Sequence, residues 1–130
     1  MKNSKENRKH DRLFFSPADK VIAQLEISGQ ELTEAMVLDI SESGIGLSVK
    51  RDEEGIFEPG DRFIMAELQG LASIHFDFAI EVEVRWLLDH EFLGRVAFGC
   101  LFINIPKIIQ AELRRFVAEQ NDSIIRQGCK

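Results

Sequence analysis

Residues 74–86 read Ile74-His-Phe-Asp-Phe-Ala-Ile-Glu-Val-Glu-Val-Arg-Trp86. Ile74, Phe76, Phe78, Ile80, Val82, Val84 and Trp86 share one register, and His75, Asp77, Ala79, Glu81, Glu83 and Arg85 share the other. Seven apolar residues in step against six mostly polar ones have a period of two. That period predicts a long antiparallel strand with one buried and one solvated face. Asp89-His90-Glu91 reads as the turn that ends it. Phe92 to Ile103 returns as a strand, almost continuously apolar and therefore expected to be buried on both faces.

Working towards the N-terminus, Arg62 to Leu68 reads as another strand, with a loop before it from Asp52 to Gly60. Ala35 to Ile40 and Ile45 to Val49 are two apolar runs separated by Ser41-Glu-Ser-Gly44. Val21, Ala23, Leu25 and Ile27 alternate with Ile22, Gln24 and Glu26, a half-buried strand. Residues 1–12 have no apolar residue after Met1 and are expected to form a mobile arm.

Towards the C-terminus the period changes. Pro106 suits the first turn of a helix. Ile109, Leu113, Phe116 and Val117 then form an apolar stripe opposite Glu112, Arg114, Arg115 and Glu119. From Asp122 the chain is polar and expected to fray. About six short strands followed by one helix predict an all-β fold with a C-terminal helix. The expected architecture is a closed or nearly closed six-stranded antiparallel barrel over residues 13–121, between a basic arm (1–12) and a frayed tail (122–130). The length of 130 residues suits one domain.

Charge is uneven along the chain. Residues 1–12 carry a net +3, whereas residues 13–130 carry −9, for a total of −6. An acidic body disfavours a nucleic-acid polymer, which needs a basic face along its phosphates. The longest apolar run, Val96 to Ile103, is too short to span a membrane, and Leu13-Phe-Phe15 is too short for a secretory signal. Cys100 lies in an apolar run and Cys129 beside the C-terminus, which does not suggest a disulfide framework. A cytoplasmic location is expected.

No catalytic constellation emerges. His10, His75 and His90 fall in the arm, on a solvated strand face and in a turn. No His, Cys and carboxylate grouping has metal-ligand spacing. Gly44-Ile-Gly46 is not followed by a third glycine at phosphate-loop spacing. Neither an enzyme nor a metal site is expected.

Two segments remain. Arg8-Lys-His-Asp-Arg12 places two arginines four positions apart where arm meets barrel; alone it reads as a solvated basic tail. Asp39-Ile-Ser-Glu-Ser-Gly44 follows a strand. Alone it reads as a hairpin turn, with Asp and Ser capping amides and Gly at positive φ.

In this order and on this architecture, the two segments resemble the PilZ domain, the bacterial receptor module for cyclic di-GMP. That family carries RxxxR near its N-terminus and [D/N]xSxxG some 20–30 residues later, on a six-stranded barrel ending in a helix. RKHDR and DISESG are complete at every fixed position. Val82-Glu-Val-Arg-Trp86, Gly99-Cys-Leu-Phe102 and the segment Ile109 to Phe116 are similar to the family's closing strands and helix. The resemblance covers roughly residues 8–120.

The resemblance implies that Arg8 and Arg12 grip guanine and phosphate. Asp39 and Ser41 read a guanine edge, and Gly44 turns the chain and admits the ligand close to the backbone. Arginine suits this role because its planar fork donates bidentately to guanine O6 and N7 or to phosphate, and its face stacks on a purine. The N1–H and N2–H₂ donors of guanine need an acceptor such as a carboxylate. Trp86 has two readings: its register makes it a barrel-core residue, while its place at a strand end would let it stack beside the ligand. The implied function is a receptor and adaptor that takes cyclic di-GMP as ligand, with no cofactor. Binding would order the arm and present a new surface to an unidentified downstream protein, the chain acting as a monomer or weak dimer. The alternative is a PilZ-like protein-interaction module, as in pilus or motility assembly, that does not depend on nucleotide.

Overall fold

A computed structural model of the chain describes residues 12–27, 32–50, 58–70, 79–90 and 94–128. Among these, the elements are β1 Leu13–Phe14, β2 Ile22–Glu26, β3 Thr33–Ile40, β4 Gly44–Lys50, β5 Arg62–Gln69, β6 Ile80–His90, β7 Arg95–Ile103 and α1 Lys107–Gly128. Hydrogen bonding runs β3-β2-β5-β6-β7-β4, and β4 pairs back onto β3, so six antiparallel strands close into a barrel. Closure leaves no open edge in the ring.

Alternation decides which side chains fill the barrel. Ala23 and Leu25 of β2, Ala35 and Val37 of β3, and Ile45, Leu47 and Val49 of β4 point inward and are buried. Phe63 and Met65 of β5, Ile80, Val82 and Val84 of β6, and Phe98, Cys100 and Phe102 of β7 complete the core. Phe63 and Phe98 meet edge to face, with ring centroids 5.9 Å apart. Helix α1 lays Leu113, Phe116 and Val117 on this core, with Ile109 at its margin. Each of these side chains removes enough apolar surface from water to contribute about 1.5–3 kcal/mol before entropic costs.

Three β-bulges break the alternation; one lies in the β2–β5 ladder, where Gln24 faces Glu67 but Leu25 faces Met65 and Ala66 is the extra residue, and the other two shape one outer face. In the β3–β4 ladder Val37 faces Leu47 but Asp39 faces Gly46, so Leu38 is the extra residue. In the β6–β7 ladder Val84 faces Cys100 but Trp86 faces Gly99, so Arg85 is the extra residue. An extra residue reverses the side on which later side chains emerge. Asp39 and Trp86 would otherwise follow Val37 and Val84 into the core. Instead both face outward.

Several expectations from sequence change accordingly. Trp86 is not a core residue: it is 45% exposed, because the bulge at Arg85 turns it out. The strand continues to His90 rather than turning at Asp89, and its partner starts at Arg95 rather than Phe92. Residues 74–78, the start of the alternating run, lie outside the described residues. Strand β7 is covered on both faces only in part, since Leu101 emerges exposed. Strand β1, absent from the sequence reading, pairs Leu13 with Ile40 and Phe14 with Asp39. The backbone of α1 stays helical past Asp122 to Gly128, because no glycine or proline interrupts it sooner. Among the described residues no helix is long and apolar enough to cross a membrane.

Candidate ligand-binding site

The strand register assembles the site. Across five strands, Phe14 pairs with Asp39, Asp39 with Gly46, Gly46 with Gly99, and Gly99 with Trp86. Directly paired residues on antiparallel strands project to the same face, so this row lies on the outside of the barrel. Its middle is two buried glycines, covered by the side chains at either end of the pair. Asp39 leans over one end: a Cβ on Gly46 would lie 2.9 Å from Asp39 Oδ2. The Trp86 indole lies over the other, with Nε1, Cε2 and Cδ1 occupying the space of a Cβ on Gly99. The absence of side chains at 46 and 99 thus lets a carboxylate and an indole lie side by side, close against the barrel wall.

Arg12 enters from the arm side. Its Nη1 donates to Asp39 Oδ1 at 2.7 Å. Asp39 is only 9% exposed, so the guanidinium supplies the partner that a nearly buried carboxylate requires. The Arg12 side chain remains 32% exposed. Helix α1 fixes the same segment, as Asn121 Nδ2 donates to the Arg12 carbonyl at 3.3 Å and Leu13 is buried in the same core that takes Leu113 of the helix. Arg8 lies outside the described residues.

The hairpin carrying Asp39 is built by Ser41 and Gly44. The Ser41 hydroxyl accepts the backbone N–H groups of Ser43 and Gly44, each at 3.2 Å, and the Ser41 N–H donates to the Gly44 carbonyl at 2.9 Å. Ser41 is 1% exposed, so its side chain faces into the turn and not out beside Asp39. Gly44 is not at positive φ. What excludes a side chain there is the carbonyl of Cys100 in β7, which fills the Cβ position. Close approach of two strands, rather than a left-handed turn, is the reason for glycine at 44.

A further residue of this turn was not singled out from sequence. Glu42 is buried, and both of its carboxylate oxygens accept Arg114 Nε, at 3.0 and 3.1 Å. This ties the turn to α1. The only sequence signal was its place inside the motif. Among the described residues, no cluster of three or more His, Cys, Asp or Glu could hold a metal ion. Burial pushes the Cys100 thiol up to about 12, which leaves it a neutral core side chain.

The comparisons fit this geometry. The family model for the PilZ domain matches residues 6–119. Among solved structures, the chain is similar to the PilZ domain with c-di-GMP of YcgR from Escherichia coli. The TM-score is 0.71 at 13% identity, covering 95% of this chain and 98% of that one. It is similar also to the K. pneumonia MrkH–c-di-GMP complex (TM-score 0.75, 13% identity, 92% and 55% covered). A third is the Bacillus subtilis inhibitor of motility MotI/DgrA (TM-score 0.67, 15% identity, 89% and 52% covered). The chain thus spans about half the length of the MrkH and MotI/DgrA chains. No curated protein matches it.

Proposed function

Since a family match over residues 6–119 makes this chain a member of the PilZ domain family, we propose that it is a receptor for cyclic di-GMP and not an enzyme. The observation that carries the reading is the outward row Asp39–Gly46–Gly99–Trp86 with Arg12 at its end. Each part answers one feature of the ligand. Asp39 Oδ2, lying over Gly46, accepts guanine N1–H and N2–H₂. The two glycines let Asp39 and Trp86 lie close on the barrel wall, and Trp86, 45% exposed, offers its open face to the purine. Arg12, with Arg8 from the preceding segment, donates to guanine O6 and N7 or to a phosphodiester.

The Arg12–Asp39 pair gives the ligand a partly assembled site. Oδ1 holds Arg12 in place while Oδ2 is presented to the base. Ser41 and Gly44 act through the turn that carries Asp39. Binding neutralises the arginines, orders residues 1–11 on the barrel and presents a composite surface of arm, ligand and barrel to a downstream protein in the cytoplasm. Amide shifts in a ¹⁵N spectrum test the reading. Cyclic di-GMP is expected to move Arg12, Asp39, Gly46, Gly99 and the Trp86 indole together. Shifts absent there, or spread over the opposite side of the barrel, would refute it.

A further inference from the structure

The row that carries the proposed site does not end at Asp39. Phe14, its partner in β1, extends it by one strand and is 61% exposed. Phe14's neighbours in sequence serve the fold: Leu13 is buried, and Phe15 packs against the core. Phe14 alone turns its ring to solvent. A single exposed apolar side chain carries little meaning by itself. Phe14 differs because its register puts it on the same outward face as Asp39, and Arg12, two residues before it, emerges on that face too.

Five adjacent strands separate Phe14 from Trp86 by four strand spacings, roughly 19 Å along the curved surface. The row is therefore aromatic at both ends, with the Arg12–Asp39 pair beside Phe14 and no side chain of its own at the two middle positions. Cyclic di-GMP has two guanines, one on each side of its ring of phosphodiesters. Resting on the receptor reading above, we infer that Phe14 is a second stacking residue. Trp86 takes one base on its open face, and Phe14 with the plane of Arg12 takes the face of the other. A planar, apolar ring at 14 adds contact that is sequence-tolerant but specific to a π-surface.

Calorimetric titration of cyclic di-GMP into wild type, Phe14→Ala, Phe14→Leu and Phe14→Tyr tests this. Phe14 is exposed, so these variants are expected to fold. Ile108→Ala, at a comparably exposed apolar position on α1, is the control. Phe14→Ala and Phe14→Leu are expected to raise Kd about tenfold, within the range of one lost base–aromatic stack. Phe14→Tyr and Ile108→Ala keep the wild-type value. Phe14→Ala at wild-type Kd would overturn the inference and leave the receptor reading standing. Equal binding by Phe14→Leu and wild type would overturn it too, by reducing the ring to ordinary apolar contact. Failure of wild type to titrate would remove both readings together.

Discussion

Arg12 Nη1 and Asp39 Oδ1 lie 2.7 Å apart, although 27 residues of chain separate them. That bond joins the last residue of RKHDR to the first residue of DISESG. It holds the arm end against the hairpin. Asp39→Ala removes the carboxylate proposed to accept guanine and releases Arg12. Because Arg12 is partly exposed and can rehydrate, the loss of stability is expected to be about 1 kcal/mol. Ligand affinity should fall at least tenfold, since a hydrogen bond to a charged group is worth about 1.5–3 kcal/mol. Urea melts and titration of the same variant separate the two effects.

The two covered glycines predict a different split. A methyl at 99 meets the Trp86 indole, which is exposed enough to swing away; a methyl at 46 meets the Asp39 carboxylate. Gly99→Ala and Gly46→Ala are therefore expected to change stability by no more than about 1 kcal/mol. Both should weaken binding of cyclic di-GMP. Trp86 is the only tryptophan of the chain, so its emission reports the displacement directly. Gly99→Ala should alter that emission without ligand, whereas Gly46→Ala should not.

Gly44 behaves otherwise. The atom in the way is the main-chain carbonyl of Cys100, which cannot rotate aside. Gly44→Ala is expected to part β4 from β7 and cost about 1–3 kcal/mol, as overpacking does. The thermal midpoint measures it.

Arg114 secures the hairpin from the helix side. Arg114→Ala strips the buried Glu42 carboxylate of the guanidinium that bridges its two oxygens. Since Arg114 is itself largely exposed, the expected cost is only about 1–2 kcal/mol. A double-mutant cycle with Glu42→Gln should show coupling, because the two side chains share one interaction.

Cys100 predicts a loss of stability in alkali. Its thiol titrates at 9.0 when unperturbed and at about 12 in the fold, owing to burial. Above pH 9 the unfolded chain loses this proton and the folded chain keeps it, so stability falls as pH rises from about 9 towards 12. The slope is about 1.4 kcal/mol per pH unit over that window, with no contribution below it. Chemical denaturation of wild type and Cys100→Ala across this range should show the extra slope in wild type only.

The barrel was legible because strict alternation survives in most strands: Ala23 and Leu25, or Ile80, Val82 and Val84, announce their face directly. The bulges at Leu38 and Arg85 were not, because one inserted residue reverses parity without altering composition. Their trace in the sequence was Gly46 and Gly99, isolated glycines inside apolar strands that mark bulges or close approach. Strand β1 escaped notice because two residues cannot show a period. For the site, Asp39 and Arg12 were found through their motifs and do meet. The roles of Ser41 and Gly44 depended on the geometry of the turn and on the carbonyl of Cys100, a contact more than 50 residues away in the chain.

Calorimetric titration of cyclic di-GMP into wild type, Arg8→Ala and Arg12→Ala tests the central claim most directly. Wild type is expected to bind saturably with Kd below about 100 μM, equivalent to roughly −5.5 kcal/mol, and each arginine variant to bind at least tenfold more weakly. No saturable heat from a folded wild-type protein, or equal affinity in all three, would contradict it.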